Sequence, residues 1–428
     1  MTQIKLRRDT TANWATANSV LAQGEPAVDT TTNSMKIGDG SSHWTDLQYI
    51  VPPNPVTPNI AYTGVFGGLP EIWRYTSSTP RLQYSANGSF RTTGDGLYWL
   101  DQNFDDGDYD LSGLTSIHFT NIGGIKGYLD FSAKSEVVMT TLDLGDIAVV
   151  DEWVSISGFS NTLTTFHANN LVDIGSNFEM YGHNFNNGPA MDFPALDRIT
   201  GHLYLDYNQN NFANTPAPTF PALSYVGSGM YIYNNKYTSW TDFTSLQHLQ
   251  SNFEFHDNTN NDSALFNGPG APALTHIQYG NMQYYRNYGM QHISEFAALT
   301  RIDGSIYMWE NSELTSFPSF PVLEYVAGIY SYNNVSMTTL DGSNSPGGWL
   351  PNILNIDGDV QFYGCALDQT SIDAILVKLA YLDGTNGTTT FQSRNVLLQD
   401  GSNATPSQTG LDAIAVLQSR GCNVNINS

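Results

Sequence analysis

The chain has 428 residues, enough for about three average domains or for one elongated array. Only 13 % of its residues are charged, and 40 acids against 16 bases give a formal net charge of −24. A field of that sign repels phosphate backbones and anionic lipid, which excludes nucleic acid as a partner of the bulk of the chain; the longest apolar runs, such as 147–150 and 413–417, fall far short of the roughly 20 residues of a helical membrane span, so no membrane insertion is expected.

Residues 1–50 differ from the rest. Lys5, Arg7 and Arg8 near the start are followed by no apolar core, so a secretory signal peptide is not expected. The segment carries four bases (Lys5, Arg7, Arg8, Lys36) and five acids (Asp9, Glu25, Asp29, Asp39, Asp46), which leaves about −23 on the other 378 residues. Gly24-Glu25-Pro26 and Gly38-Asp39-Gly40 are turn chemistry between short strands, because Gly reaches backbone angles that strain other residues. Four prolines in 51–59 favour an extended polyproline II linker. Residues 60–110 form a connecting β region. Within it Asp101, Asn103 and Asp105 place oxygens at alternate positions, as at the start of a calcium loop. The sixth place is Asp106 instead of Gly and the twelfth is Ser112 instead of Glu, so a solvated acidic turn is expected.

From 111 to 365 the chain repeats. Segments beginning at 193, 220, 243 and 296 share one pattern: counted from a Leu, apolar residues recur at +3, +7 and +9, and Asn often stands at +12. Leu196 is followed by Ile199, Leu203, Leu205 and Asn208, and Leu299 by Ile302, Ile306, Met308 and Asn311. The same frame fits from Leu171, Leu223, Leu246, Leu323 and Ile353, and from Leu274 with one inserted residue; weaker copies surround Leu114 and Leu144. The eight anchors run from 171 to 353 in seven steps averaging 26 residues. A fixed period of this length predicts a solenoid, and the +7/+9 alternation predicts one short strand per coil. The fold class expected is mainly β, a parallel β-solenoid with a small N-terminal β domain and a small α/β C-terminal cap.

The repeat resembles leucine-rich repeats and the coils of receptor L domains, with Leu203-Tyr204-Leu205-Asp206-Tyr207-Asn208 in the place of their LxLxxN core. The resemblance implies that Asn208, Asn235, Asn258, Asn287 and Asn311 form a capping ladder, interrupted where His183, Val335 and Cys365 hold +12. A second resemblance covers residues 4–50. Leu6-Arg7-Arg8, Trp14, Asn18, Leu21, Gly24-Glu25-Pro26, Lys36-Ile37-Gly38-Asp39-Gly40, Trp44 and Leu47 are similar to the N-terminal domain of bacteriophage tail fibres typified by the major tropism determinant. It implies a virion protein, made in the host cytoplasm and carried on the tail in preference to the head. It further implies a homotrimer attached to other virion proteins through residues such as Arg7, Arg8, Trp14 and Trp44.

In 366–428 the period changes. Thr370-Ser371-Ile372-Asp373 ahead of an apolar run predicts a capped helix with Asp373 near its positive end, and Ser407 starts a second one stopped by Gly421. Residues 388–392, 395–399 and 422–427 read as strands of a cap over the end of the solenoid. Cys365 and Cys422 make no disulfide framework, and isolated buried thiols are expected.

No HExxH, GxSxG, Walker loop or paired CxxC occurs, and no motif requires a cofactor. The richest constellation lies at +8 and +10, which should point away from the core. Those sixteen positions contain eight rings, Tyr181, Tyr204, Tyr231, Tyr233, Tyr285, Tyr307, Trp309 and Tyr363, far above the 12 % aromatic content of the chain. They also include Glu179, Asp206, Glu254, His256, Gln283, Gln361 and, in the coil from Leu323, Ser331 and Asn333. Rigid amphipathic rings on a flat sheet suit stacking on a host-surface glycan or contact with a protein; packing against another subunit or another layer of the same chain is the alternative reading. The expected function is therefore a receptor-binding tail fibre without catalytic residues. A capsid fibre or decoration protein and a fibre-borne polysaccharide depolymerase stay open as alternatives, because a carboxylate pair meets only in the fold.

Overall fold

The computed structural model describes residues 7–31, 34–47, 114–120, 122–132, 139–159, 162–183, 191–207, 216–237, 239–259, 265–340 and 349–427, together with the backbone of short strands between 49 and 105. The proline-rich segment 51–58, Asp101, Asn103 and Asn208 lie outside the described residues, and Asp105 is described by its backbone alone. The chain divides into two compact units, Met1–Thr57 with Gly94–Gly96, and Pro58–Thr93 with Leu97–Ser428.

The first unit is a four-stranded sheet in sequence order: Arg7–Asp9, Pro26–Asp29, Ser34–Ile37 and Tyr49–Ile50. Its first pair is parallel, which demands a crossover, and the helix Thr11–Ala17 supplies part of it. Thr10 caps that helix by accepting from the Asn13 N–H, and Asn18 ends it in the left-handed region. The expected turns are present, with Gly24 and Gly40 at φ of 80° and 81°. A Cβ at Gly38 would lie 2.3 Å from the Ala22 carbonyl oxygen, so only glycine fits there.

The second unit is a parallel β-solenoid of about 11 turns. Each regular coil contributes two strand segments, where the sequence pattern led to an expectation of one. A two-residue segment at +2/+3, such as Arg198–Ile199 or Tyr225–Val226, is followed by a bend and then by a four-residue segment at +7 to +10. Among the described residues the two merge into single long strands only at Arg301–Trp309 and Tyr325–Tyr332. Leu203, Met230, Phe253, Met282, Ile306, Ile329 and Val360 stand in register across successive coils. The anchors Leu171, Leu196, Leu223, Leu246, Leu274, Leu299, Leu323 and Ile353 are all buried in one continuous core. Before them Ile125, Val150 and Ile174 pair in line, so the earlier coils are framed on Ile122 and Ile147, eight residues after Leu114 and three after Leu144.

One coil departs from the expected frame. From Leu323 it is a residue short, so Ile329 and Ser331 point inward while Tyr330 and Tyr332 point outward. Ser331 is therefore a buried residue, and Asn333 is the turn residue after the strand, with φ of 54°.

At the C-terminal end the helix Gln369–Tyr381 is capped by Asp368, which accepts from the Ser371 N–H at 2.7 Å. Asp373, expected near the positive end of that helix, accepts instead from the Ser407 N–H. The second helix, Gln408–Ser419, starts at Ser407 as expected and stops before Gly421 at φ of 76°. The strands Asn395–Leu398 and Asn423–Ile426 continue the parallel sheet, so this region extends the solenoid by two βα-like layers. Residues 388–392 form no strand, although Phe391 among them joins the core. Both cysteines are free and buried.

Candidate functional site

Three columns of side chains climb the outward face of the solenoid, and each is fixed by its neighbours one coil away. The +10 column holds Asp206, Tyr233, His256, Tyr285, Trp309, Tyr332 and Tyr363. Its centre is an unbroken stack of four rings. Tyr233 and His256 are 4.8 Å apart, His256 and Tyr285 4.2 Å, and Tyr285 and Trp309 4.3 Å, all within 10° of parallel. These separations approach the spacing between strands, so each ring face is turned to its neighbour while ring edges and polar tips face outward. The +8 column repeats this in two pairs, Tyr204 with Tyr231 and Tyr307 with Tyr330, each at 5.0 Å. Between the pairs Glu254 accepts from Asn252 and Gln283. Counting Tyr330 and Tyr332 in place of Ser331 and Asn333, ten of the sixteen outward positions carry Tyr or Trp. Tyr181 stands at the N-terminal side of the column, exposed, and no ring stacks on it among the described residues.

Inspection of the sequence missed the third column, at +2. Here Arg198 lies 4.0 Å over the Tyr225 ring and Arg301 3.9 Å over Tyr325, both cation–π contacts. Asp303 joins Arg301 and His276, and the Tyr325 hydroxyl donates to Asp357. Its signal was a polar or aromatic residue immediately before each +3 apolar residue, hidden because two-residue strands leave no alternation to read.

The bends between the two strand segments are close to the rings. A Cβ at Gly229 would meet the Tyr231 ring at 2.6 Å, and one at Gly328 the Tyr330 ring at 2.8 Å, so both rings lie over glycines. A second polar ladder runs along these bends. Asn177 accepts from the His202 N–H, Asn252 from Asn281, and Asn281 from Ser305.

Burial sets the electrostatics of this face. It raises the Glu254 and Asp206 carboxyls, lowers His256, and pushes Tyr285 and Tyr332 up to about 12. Burial pushes Asp257 upward too, but hydrogen bonds from Arg286 at 2.8 and 2.7 Å, and from His256, leave it below its ordinary value. Among the described residues no group of three or more His, Cys, Asp or Glu side chains could hold a metal ion.

Among the described residues the ladder implied by the resemblance is present from Asn235 to Asn311, and it runs on past Asn311. Asn235, Asn258, Asn287 and Asn311 each donate through Nδ2 to the +9 carbonyl of the preceding coil, at 2.8 to 2.9 Å. Each backbone N–H donates to the side-chain oxygen of the next Asn. The expected gap at Val335 does not occur, because the short coil brings Asn334 into the position; it donates to the Met308 carbonyl. His183 fills the same place two coils before Asn235, buried and bonded to the Ile156 carbonyl. Cys365 sits in the place as a buried thiol, and Asn403 resumes the pattern by donating to the Phe362 carbonyl.

In the first unit Trp14 and Trp44 are buried and stacked at 4.2 Å, with Lys36 over Trp44. Arg7 is exposed, pairs with Glu25 at 3.1 Å and lies over Trp14; Arg8 is exposed. The two tryptophans hold this unit together, and the arginines are on its surface.

The fold and face define a parallel β-solenoid bearing an ordered outward array of aromatic side chains, preceded by a small β domain. Residues 4–42, in that small domain, match the family described as the major tropism determinant N-terminal domain. Comparison of the chain with curated proteins and with solved structures returns no match.

Proposed function

We propose that this chain is a bacteriophage receptor-binding protein of the virion, a tail fibre or tail-tip adhesin. The N-terminal unit anchors it to the particle and the outward face of the solenoid contacts a glycan or protein of the host surface. The family match over residues 4–42 carries the phage assignment. The observation that carries the binding role is the ring array itself, because side chains already stacked on one another lose little freedom when a partner docks. The leucine-rich-repeat likeness rests on the asparagine ladder and adds a fold analogy, not a ligand.

The array changes the mode of binding expected from sequence. With ring faces consumed by stacking, a partner meets edges and hydroxyls, so polar contact replaces ring-on-sugar stacking over most of the column. Recognition without turnover fits the carboxylates, since Glu254 and Asp257 are engaged by Asn252, Gln283, Arg286 and His256. A homotrimer would multiply weak single sites through avidity.

The test is binding of the purified chain to a panel of bacterial strains by flow cytometry, with sedimentation velocity reporting the oligomer. Replacing Tyr231, Tyr233, Tyr307 and Trp309 by Ala should abolish binding. The triple Tyr231→Phe, Tyr233→Phe, Tyr307→Phe variant keeps the rings and should weaken binding at least tenfold. Unchanged binding and unchanged oligomeric state in the Ala variant would sink the proposal. Release of reducing sugar from host polysaccharide would favour the depolymerase, and gold-labelled antibody on the head instead of the tail would favour a decoration protein.

A further inference from the structure

Away from the ring array, the four return segments ahead of the anchors Leu223, Leu246, Leu274 and Leu299 line an open cleft of about 470 Å³. Its size is that of small-molecule sites, which are concave and combine apolar walls with a few convergent polar groups. The walls are Phe220 and Trp240, and the polar groups are Asp242, Thr244, Asn267 and Ser294. Trp240 is held edge-on against Tyr237 and Phe255, at 5.3 and 4.9 Å, so its indole is fixed before any ligand arrives. One oxygen of Asp242 accepts from the Gly270 N–H at 2.8 Å, which fixes the carboxylate. Its second oxygen has no hydrogen-bond partner among the described residues.

We propose that this cleft binds a neutral saccharide, a hexopyranoside or the end of a short glycan chain. An indole beside a fixed carboxylate, an amide and two hydroxyls matches the two surfaces of a pyranose: an apolar C–H face, and a rim of hydroxyls that donate to carboxylate and accept from amide and hydroxyl. The carboxylate selects against anionic sugars, as does the net charge of −24. Asp242 is half-buried, and a ligand hydroxyl that donates to its second oxygen gains a charge-assisted hydrogen bond that a ligand without a donor there lacks. The inference reaches beyond the ring array, and the two sites can fail separately.

The experiment is calorimetry and ligand-observed NMR on the full chain. The probes are the methyl glycosides of glucose, galactose, mannose and N-acetylglucosamine, with their disaccharides, against glucuronic acid and N-acetylneuraminic acid. One or more neutral glycosides should bind and the two acids should not. Asp242→Asn, which keeps shape and the acceptor for Gly270, should weaken that binding at least tenfold. Trp240→Ala should remove it, with Thr244→Ala as a milder variant if the tryptophan change unfolds the coil. The Tyr231, Tyr233, Tyr307 and Trp309 Ala variant should bind the glycoside normally. Absence of any neutral-sugar binding, equal binding of the acids, or full affinity in Asp242→Asn overturns the proposal; loss of sugar binding in the ring variant assigns the ligand to the ring array instead.

Discussion

The asparagine column and the aromatic column run along the same solenoid two residues apart, Tyr285 beside Asn287 and Trp309 beside Asn311, yet different forces hold them. The asparagines are buried, and each satisfies a carbonyl and an N–H that the turn would otherwise leave orphaned. The rings are half-exposed and held by one another through faces 4.2 to 4.8 Å apart. A buried polar column tolerates few substitutes, since each lost partner costs the full desolvation of a group. The stacked column tolerates any flat side chain, and His256 duly stands among tyrosines. One column is therefore architecture and the other is free to vary for contact.

The sharpest way to break this contrast is Asn287→Ala. It orphans the Phe255 carbonyl and the Asn258 N–H, at about 1–3 kcal/mol each, so urea unfolding should show a loss of about 2–6 kcal/mol. A loss under about 1 kcal/mol would mean that water replaces the ladder and that the column is not architecture.

His183 tests the same column with pH. Burial holds its ring down to about 3, against 6.5 when exposed. Between those values the unfolded chain binds a proton that the folded chain refuses, so stability falls as pH drops below about 6.5 and goes on falling toward 3. At pH 4.5 the expected loss is about 2–3 kcal/mol. His183→Asn restores the ladder residue and should remove that loss, leaving only the acid sensitivity that other groups share. Parallel stability–pH curves for the two proteins would contradict the assignment.

Tyr285→Ala opens two stacks at once, and stacked pairs contribute about 0.5–1.5 kcal/mol each, so a loss of about 1–3 kcal/mol is expected. Tyr285→Phe should cost little, since the face and not the hydroxyl makes the contact. If the Phe variant were as damaged as the Ala variant, the stacking account of this column would be wrong.

Legibility in the sequence follows from the same contrast. The Leu anchors and the ladder could be read because burial permits one kind of side chain per position. The gap expected at Val335 arose because a one-residue deletion in the coil from Leu323 shifts the frame, and the apolar positions tolerate the shift: Tyr330 and Tyr332 are as plausible inside as outside. The excess of rings was legible, but their stacking was not, since it depends on a +10 to +10 register that only the coil spacing sets. The column of Arg198, Tyr225, Arg301 and Tyr325 was invisible because a two-residue strand has no period. The cleft at Trp240 was equally hidden, being assembled from four coils that no motif links.

Between each outward ring and each ladder asparagine stands one residue that joins the two columns. In the Trp309–Glu310–Asn311 step Glu310 has φ of 57°, and Asn234, Asp257, Arg286 and Asn333 occupy the same left-handed region in their coils. Gly158, Gly182 and Gly364 do so at the same step elsewhere. A left-handed conformation costs a non-glycine residue about 1–2 kcal/mol, so the bonds on either side must hold these positions in place. Glu310→Gly relieves that strain while raising the entropy lost on folding by about 0.5–1 kcal/mol, for a net gain of about 0.5 kcal/mol. Urea titration of Glu310→Gly against the unchanged chain reads this directly. A clear loss instead of a small gain would show that the Glu310 side chain itself ties the aromatic column to the ladder, and that the two are less independent than their geometry implies.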